Sequence, residues 1–148
     1  MKLWFSSTKY GMTLPQKLKV QEFLVKNKEI IKTIRHEDFI GGEEEFHRMC
    51  LNFDLFNKII IHPPKDRTNR ALCKASVILD PMMDSTSRRS NMAIKSDFLL
   101  ATPHSYSENI RKGCWQSIRI AKQKEMDLLI VFPDGSLCNE YEISRNKN

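Results

Sequence analysis

A chain of 148 residues has room for one hydrophobic core but not for two ordinary domains. Its 41% apolar and 28% charged residues exclude a disordered polymer, and no apolar run approaches the roughly 20 residues that a membrane helix needs. The formal net charge of +6 favours anionic partners, whether nucleotide, phosphate or nucleic acid, although a solvated basic face gives the same count.

Met1 to Phe5 is apolar but runs at once into Ser6-Ser7-Thr8, shorter than the apolar stretch of about 7–15 residues in a signal peptide. The expectation is a single cytoplasmic domain, away from membranes. Cys50, Cys73, Cys114 and Cys138 are widely spaced, which reads as structural thiols rather than a zinc or disulfide framework. With 9% aromatic residues and no interleaving of arginines with aromatics, nucleic acid is the less expected partner.

In chain order, Lys2 to Phe5 reads as a strand ended by Ser6-Ser7-Thr8-Lys9-Tyr10-Gly11. A helix follows from Thr13, which suits its cap, with Pro15 in the first turn. Leu14, Leu18, Val20, Leu24 and Val25 share one broad helical face, the expected buried side. Ile30 to Arg35 is a second strand and Asp38 to Gly42 a loop. Glu43 opens a second helix with acidic residues at the positive end of its dipole, and Phe46, Met49, Cys50 and Phe53 are its core positions. Lys58 to Ile61 is a third strand, stopped by His62-Pro63-Pro64. Residues 65–84 are irregular, with one short strand at Val77 to Leu79. Thr86 to Lys95 is helical. Phe98 to Ala101 is the fourth strand, Gly113 to Lys124 a helix that leaves Ile120 exposed, and Leu128 to Phe132 the fifth strand. The tail, residues 136–148, adds an edge strand around Tyr141 to Ile143 or is partly disordered. Short apolar strands alternating with helices predict an α/β fold: a Rossmann-like three-layer sandwich with a mainly parallel sheet of about five strands. Ligands of such sheets bind outside the carboxyl ends of the strands.

Four segments at those ends carry candidate chemistry. Ser7 and Thr8 offer hydroxyls beside a cation and backbone amides, an anion site if not an ordinary turn. Gly41 and Gly42 allow backbone to approach a ligand closely; Glu43 there can accept from ribose hydroxyls, and Glu43 or Glu45 can act as a base. In the basic stretches Lys65 to Arg70 and Arg88-Arg89, Arg70 and Arg88 are the better placed for two-pronged phosphate binding. Arg111, Lys112 and Gly113 open a helix, where dipole and cations together favour a phosphate; Cys114 and Trp115 follow, the indole as part core and part pocket wall. His62 and Thr102 complete the set. His36, His47, His62 and His104 are scattered, so neither a metal nor another cofactor is expected.

Taken in order, these segments resemble the SLOG superfamily, which includes the lysine-decarboxylase-like cytokinin-activating (LOG) enzymes and the DNA-processing protein domain. They are more similar to a small branch of stand-alone proteins from microbes and phages. That branch shows a loop of the form His-Gly-Asp-x-x-Gly-Ala-Asp-x-x-Phe-His, then His-Pro-Pro, Arg-Ala, Arg-Asn-Arg, Ala-Thr-Pro and Arg-Ser-Gly-Thr-Trp-x-Thr-Ile-Arg. Here the counterparts are His36 to His47, His62-Pro63-Pro64, Arg70-Ala71, Arg88-Arg89-Ser90, Ala101-Thr102-Pro103 and Arg111 to Arg119. Glu37 stands in place of the first glycine, Gly42-Glu43 in place of Ala-Asp, and Lys112-Gly113-Cys114 in place of Ser-Gly-Thr. The cytokinin-activating relatives carry Gly-Gly-x-Gly-Thr-x-x-Glu and cleave a base from a nucleoside monophosphate with that glutamate; Ser117 occupies its place here, which argues against hydrolysis by that route. The resemblance implies a nucleotide-derived ligand, such as an ADP-ribose derivative or a cyclic nucleotide. It would be sensed, or sequestered by a homo-oligomeric sponge in phage–host defence signalling. The enzymatic alternative is a nucleotide N-glycosidase or phosphoribohydrolase assisted by Glu43 or Glu45.

Overall fold

The computed structural model describes residues 1–81, 84–109 and 112–139. Its strands are β1 (Lys2–Ser6), β2 (Thr33–His36), β3 (Ile59–Ile61), β4 (Val77–Ile78), β5 (Phe98–Ala101), β6 (Asp127–Val131) and β7 (Leu137–Cys138), and its helices α1 (Leu14–Asn27), α2 (Gly42–Asn52), α3 (Ser85–Ile94) and α4 (Gly113–Gln123). The strands form one seven-stranded sheet in the order β4-β3-β2-β1-β5-β6-β7. Every pair is parallel except β6 with β7. The expected α/β sandwich with a mainly parallel sheet is the fold observed; two-residue strands at each edge raise the strand number from five to seven. No helix among the described residues is long and apolar enough to cross a membrane.

Alternation along the strands sorts the core into two layers. Leu3, Phe5, Ile34, Ile59 and Ile61 face one side and pack with Val20 and Leu24 of α1 and Phe46 and Cys50 of α2. Trp4, Leu99, Ala101, Leu128 and Ile130 face the other and pack with Met92 of α3 and Trp115 and Ile118 of α4. Because β1 connects outward to β2 while β5 takes the chain back to its other side, the order reverses between β1 and β5. In an open sheet, that reversal leaves a crevice beyond the carboxyl ends of the two strands.

Three expectations about surfaces and ends need correcting. Ile30 does not begin the second strand: the amides of Ile30 and Ile31 both donate to Asn27 O, which closes α1 and delays pairing until Thr33. Only Val20 and Leu24 of the expected apolar face of α1 are buried. Leu14, Leu18 and Val25 are 68%, 51% and 61% exposed, and the buried stripe is Gln16, Val20 and Leu24. Gln16 belongs there because its Nε2 donates to Pro103 O (2.8 Å), just beyond β5, and to Val131 O (2.9 Å), at the end of β6. Its backbone amide and Oε1 also complete a reciprocal cap with Thr13. Finally, Ile120 is buried within the second layer rather than exposed. The edge strand observed is Leu137–Cys138; residues 141–143 lie outside the described part of the chain.

The corrected face of α1 has a direct consequence. Leu24→Ala should lower unfolding free energy by about 2–5 kcal/mol, and Leu18→Ala should change it by less than about 0.5 kcal/mol. Urea denaturation of the two variants measures both, and equal losses would restore the apolar face as the buried one.

Candidate functional site

The loops at the switch point enclose a cleft of about 240 Å³. Its walls are Ser7, Thr8, Lys9 and Tyr10 from the β1–α1 loop, Phe39 and Ile40 after β2, Asn69, Arg89 of α3, and Lys112, Gly113 and Cys114 at the start of α4. Of the residues expected from sequence, Ser7, Thr8, Lys112, Gly113 and Cys114 lie on this wall.

The other expected residues are buried around it or lie elsewhere. Gly41 has φ +91°, and a Cβ on it would stand 2.5 Å from Lys9 O; a Cβ on Gly42 would stand 1.8 Å from Ser7 Oγ. The close approach that the two glycines permit is therefore to the chain's own β1–α1 loop, and Gly42 N donates to Thr8 O at 2.9 Å. Thr102 Oγ1 donates to Ser7 Oγ at 2.7 Å and holds that hydroxyl in place. Arg70 is turned onto Asp38, with Nε and a terminal nitrogen each 3.3 Å from Oδ2. His62 Nε2 accepts from Arg35 at 2.7 Å, and burial, reinforced by Arg35, pushes its pKa down to about 4. Trp115 is buried in the second core layer, its Nε1 donating to Ser105 Oγ, and it forms no part of this wall. The thiol of Cys114 is pushed up to about 12 by burial, so it meets the cleft as a neutral group. Arg111 lies outside the described residues.

Arg89 is the buried cation on the cleft wall. Glu37, buried at the end of β2, splits its carboxylate between neighbours: Oε2 accepts from Arg88 Nε at 2.7 Å and Oε1 from Arg89 Nε at 2.8 Å. A terminal nitrogen of Arg89 donates to Gln116 Oε1, and Gln116 in turn donates to Thr86 Oγ1. Two anchors thus fix the guanidinium plane beside Gly113, whose missing side chain makes the room: a Cβ there would come within 2.6 Å of an Arg89 terminal nitrogen. Arg88 is held deeper, 5.7 Å from the Phe39 ring centroid. Arg88 and Arg89 are adjacent on the buried face of α3 and share Glu37, so neither helical phase nor that carboxylate separates them; the further contacts, Phe39 for Arg88 and Gln116 for Arg89, do.

Two further features of the wall suit an anion. The first amides of α4 receive no side-chain cap, since Lys112 sits at the N-cap position. Thr8 Oγ1 is buried and makes no hydrogen bond. Beneath them runs a set of satisfied hydroxyls. Ser6 Oγ donates to Ser117 Oγ at 2.9 Å, and Ser117 Oγ donates to Gly113 O at 3.2 Å. Ser117 is therefore a buried brace between β1 and α4.

Neither candidate base reaches the cleft. Glu45 Oε1 accepts from Met12 N at 2.7 Å while Oε2 pairs with Lys17 at 2.6 Å. Glu43 is buried, and its Oε1 accepts from Glu37 N at 2.6 Å. Burial and the nearby Glu37 carboxylate raise the Glu43 pKa well above the usual carboxylate range. The histidines are bound up in structure as well. Asp38 N donates to His36 Nδ1, so the proton of His36 sits on Nε2 and is donated to His47 Nδ1 at 3.0 Å; His47 Nε2 then donates to Lys74 O at 2.9 Å. Burial pushes His36 down to about 3, which keeps this relay neutral. Among the described residues, no three His, Cys, Asp or Glu side chains gather as a metal site.

Lys9, Tyr10, Phe39, Ile40, Asn69 and Arg89 were absent from the sequence-derived set, although most lie in segments that it singled out; Lys112, expected as a cation at the start of α4, is on the wall. No protein-family model matches the chain, and no curated protein does.

Two outcomes test this electrostatic arrangement. Glu37→Gln should cost about 3–5 kcal/mol in urea denaturation, because it strips the shared counter-charge from two buried guanidinium groups. Glu43→Gln should behave in the opposite sense. Above pH 4.5 the unfolded wild-type chain releases a proton that folded Glu43 retains, so the wild type loses stability as pH rises through that window. The glutamine variant escapes this loss, and its advantage over wild type should grow by up to about 1.4 kcal/mol per pH unit between pH 5 and 7. The buried histidines act with the opposite sign in both proteins and cancel from the difference; parallel profiles would show that Glu43 is ionised in the fold.

Proposed function

We propose that the chain binds a phosphate-bearing, nucleotide-derived ligand in the cleft at the β1/β5 switch point. The observation that carries this reading is the convergence of three donors on one cavity wall: the Arg89 guanidinium held by Glu37, the uncapped start of α4, and the unpaired Thr8 hydroxyl. Each is a hydrogen-bond donor or carries positive charge, and together they match the oxygens of a phosphate. Phe39 and Ile40 give the same cleft an apolar side suited to a base or sugar. The resemblance to the SLOG superfamily supports the reading independently, through the order of its segments along the chain. Sensing or sequestering a nucleotide signal is the role that fits a domain of this kind.

Binding is favoured over cleavage because Glu43 and Glu45, the bases a glycosidase would need here, are committed to backbone amides and Lys17. Calorimetric titration with AMP and with adenosine tests the proposal. AMP should bind the wild type at least about tenfold more tightly than adenosine, a difference of about 1.4 kcal/mol, and Arg89→Lys should remove most of that preference. Equal affinity for the two ligands would contradict the phosphate site. Stoichiometric recovery of intact AMP after denaturation is expected; free adenine at many equivalents would establish the hydrolase instead.

A further inference from the structure

The mouth of the cleft holds a second concentration of positive charge. Lys112 Nζ donates to Tyr10 Oη at 3.3 Å and lies 5.1 Å from the ring centroid, while Lys9 Nζ lies 5.6 Å from the same centroid. Neither lysine makes an ion pair among the described residues. Both ammonium groups stand against one ring and add positive potential at the same part of the wall. The Tyr10 hydroxyl registers the same field: its pKa is lowered, first by the hydrogen bond from Lys112. Tyr10 is 57% exposed whereas Arg89 is 8% exposed, so the two cationic stations sit at different depths along one wall.

Resting on the phosphate reading above, we infer that the cleft takes a ligand carrying two phosphate groups, the inner one on Arg89 and the start of α4, the outer one between Lys9 and Lys112 beside Tyr10. An anion at the outer station pairs with two ammonium groups that a monophosphate held on Arg89 leaves without a counter-charge. The two groups are the linked phosphates of a diphosphate or the separated phosphates of a dinucleotide, and these share one recognition chemistry.

Calorimetry on the full chain with inorganic phosphate, pyrophosphate, AMP, ADP and cyclic di-AMP tests this. A gain of about tenfold or more for pyrophosphate over phosphate and for ADP over AMP is expected if the phosphates are linked. The same gain confined to cyclic di-AMP over AMP assigns them as separated. In the double variant Lys9→Ala/Lys112→Ala, whose folding is checked by its urea midpoint, the gain should fall close to onefold. Phosphate binding without any gain in the wild type, or a gain that survives in the double variant, overturns this inference alone. Failure of every probe to bind overturns the phosphate reading together with it.

Discussion

One carboxylate, that of Glu37, fixes the charge pattern beneath the carboxyl edge of the sheet. It lies buried where β2 ends and holds both Arg88 and Arg89 within hydrogen-bonding distance. Ion pairs on the surface contribute little to stability, but a buried guanidinium without its partner is costly, so the position of α3 against β2 and the direction of Arg89 are set together. Glu43 lies close by, and burial together with the Glu37 carboxylate raises its pKa well above the usual carboxylate range, which weakens its competition with Glu37 for the arginines. The result is a cluster in which one arginine serves the interior and the next is presented to the cleft.

The glycines complete that presentation by removing side chains at two contacts. Gly42 lets α2 start against the Ser7 hydroxyl, and Gly113 lets α4 start against the Arg89 guanidinium. The β1–α1 loop, the start of α4 and the Arg89 side chain are thereby pressed into one wall. Thr102 and Ser117 then lock the hydroxyls beneath it. The cleft is built mainly from elements whose positions the core already determines, so little ordering is left for a ligand to impose.

Much of the scaffold was legible in the sequence because it depends on local pattern. Phe98 to Ala101 has the continuous apolar run of a strand covered on both faces, and Thr13 ahead of Pro15 has the residue types of a helix start. The buried side of α1 was legible only at Val20 and Leu24, since hydrophobic periodicity also counts Leu14 and Leu18 but gives no weight to a glutamine that serves two distant carbonyls. The site was legible as segments and not as side chains. Ser7, Thr8 and Gly113 could be placed from strand ends and helix starts. The choice of Arg89 over Arg88 rests on Gln116, 27 residues later in the chain, since Glu37 pairs with both arginines. Glu37 itself stood out in the sequence only as a departure from the glycine of the family that the chain resembles, and its pairing is a tertiary contact that no local pattern announces.

The central claim is that a phosphate sits between the Arg89 guanidinium and the first amides of α4. Titration of the ¹⁵N-labelled protein with AMP, followed by NMR, tests it most directly. The account predicts that Arg89 Nε and the backbone amides of Thr8, Gly113 and Cys114 shift together along a single saturating curve. Saturation with those four resonances unmoved, and the shifts gathered at another surface, would contradict it.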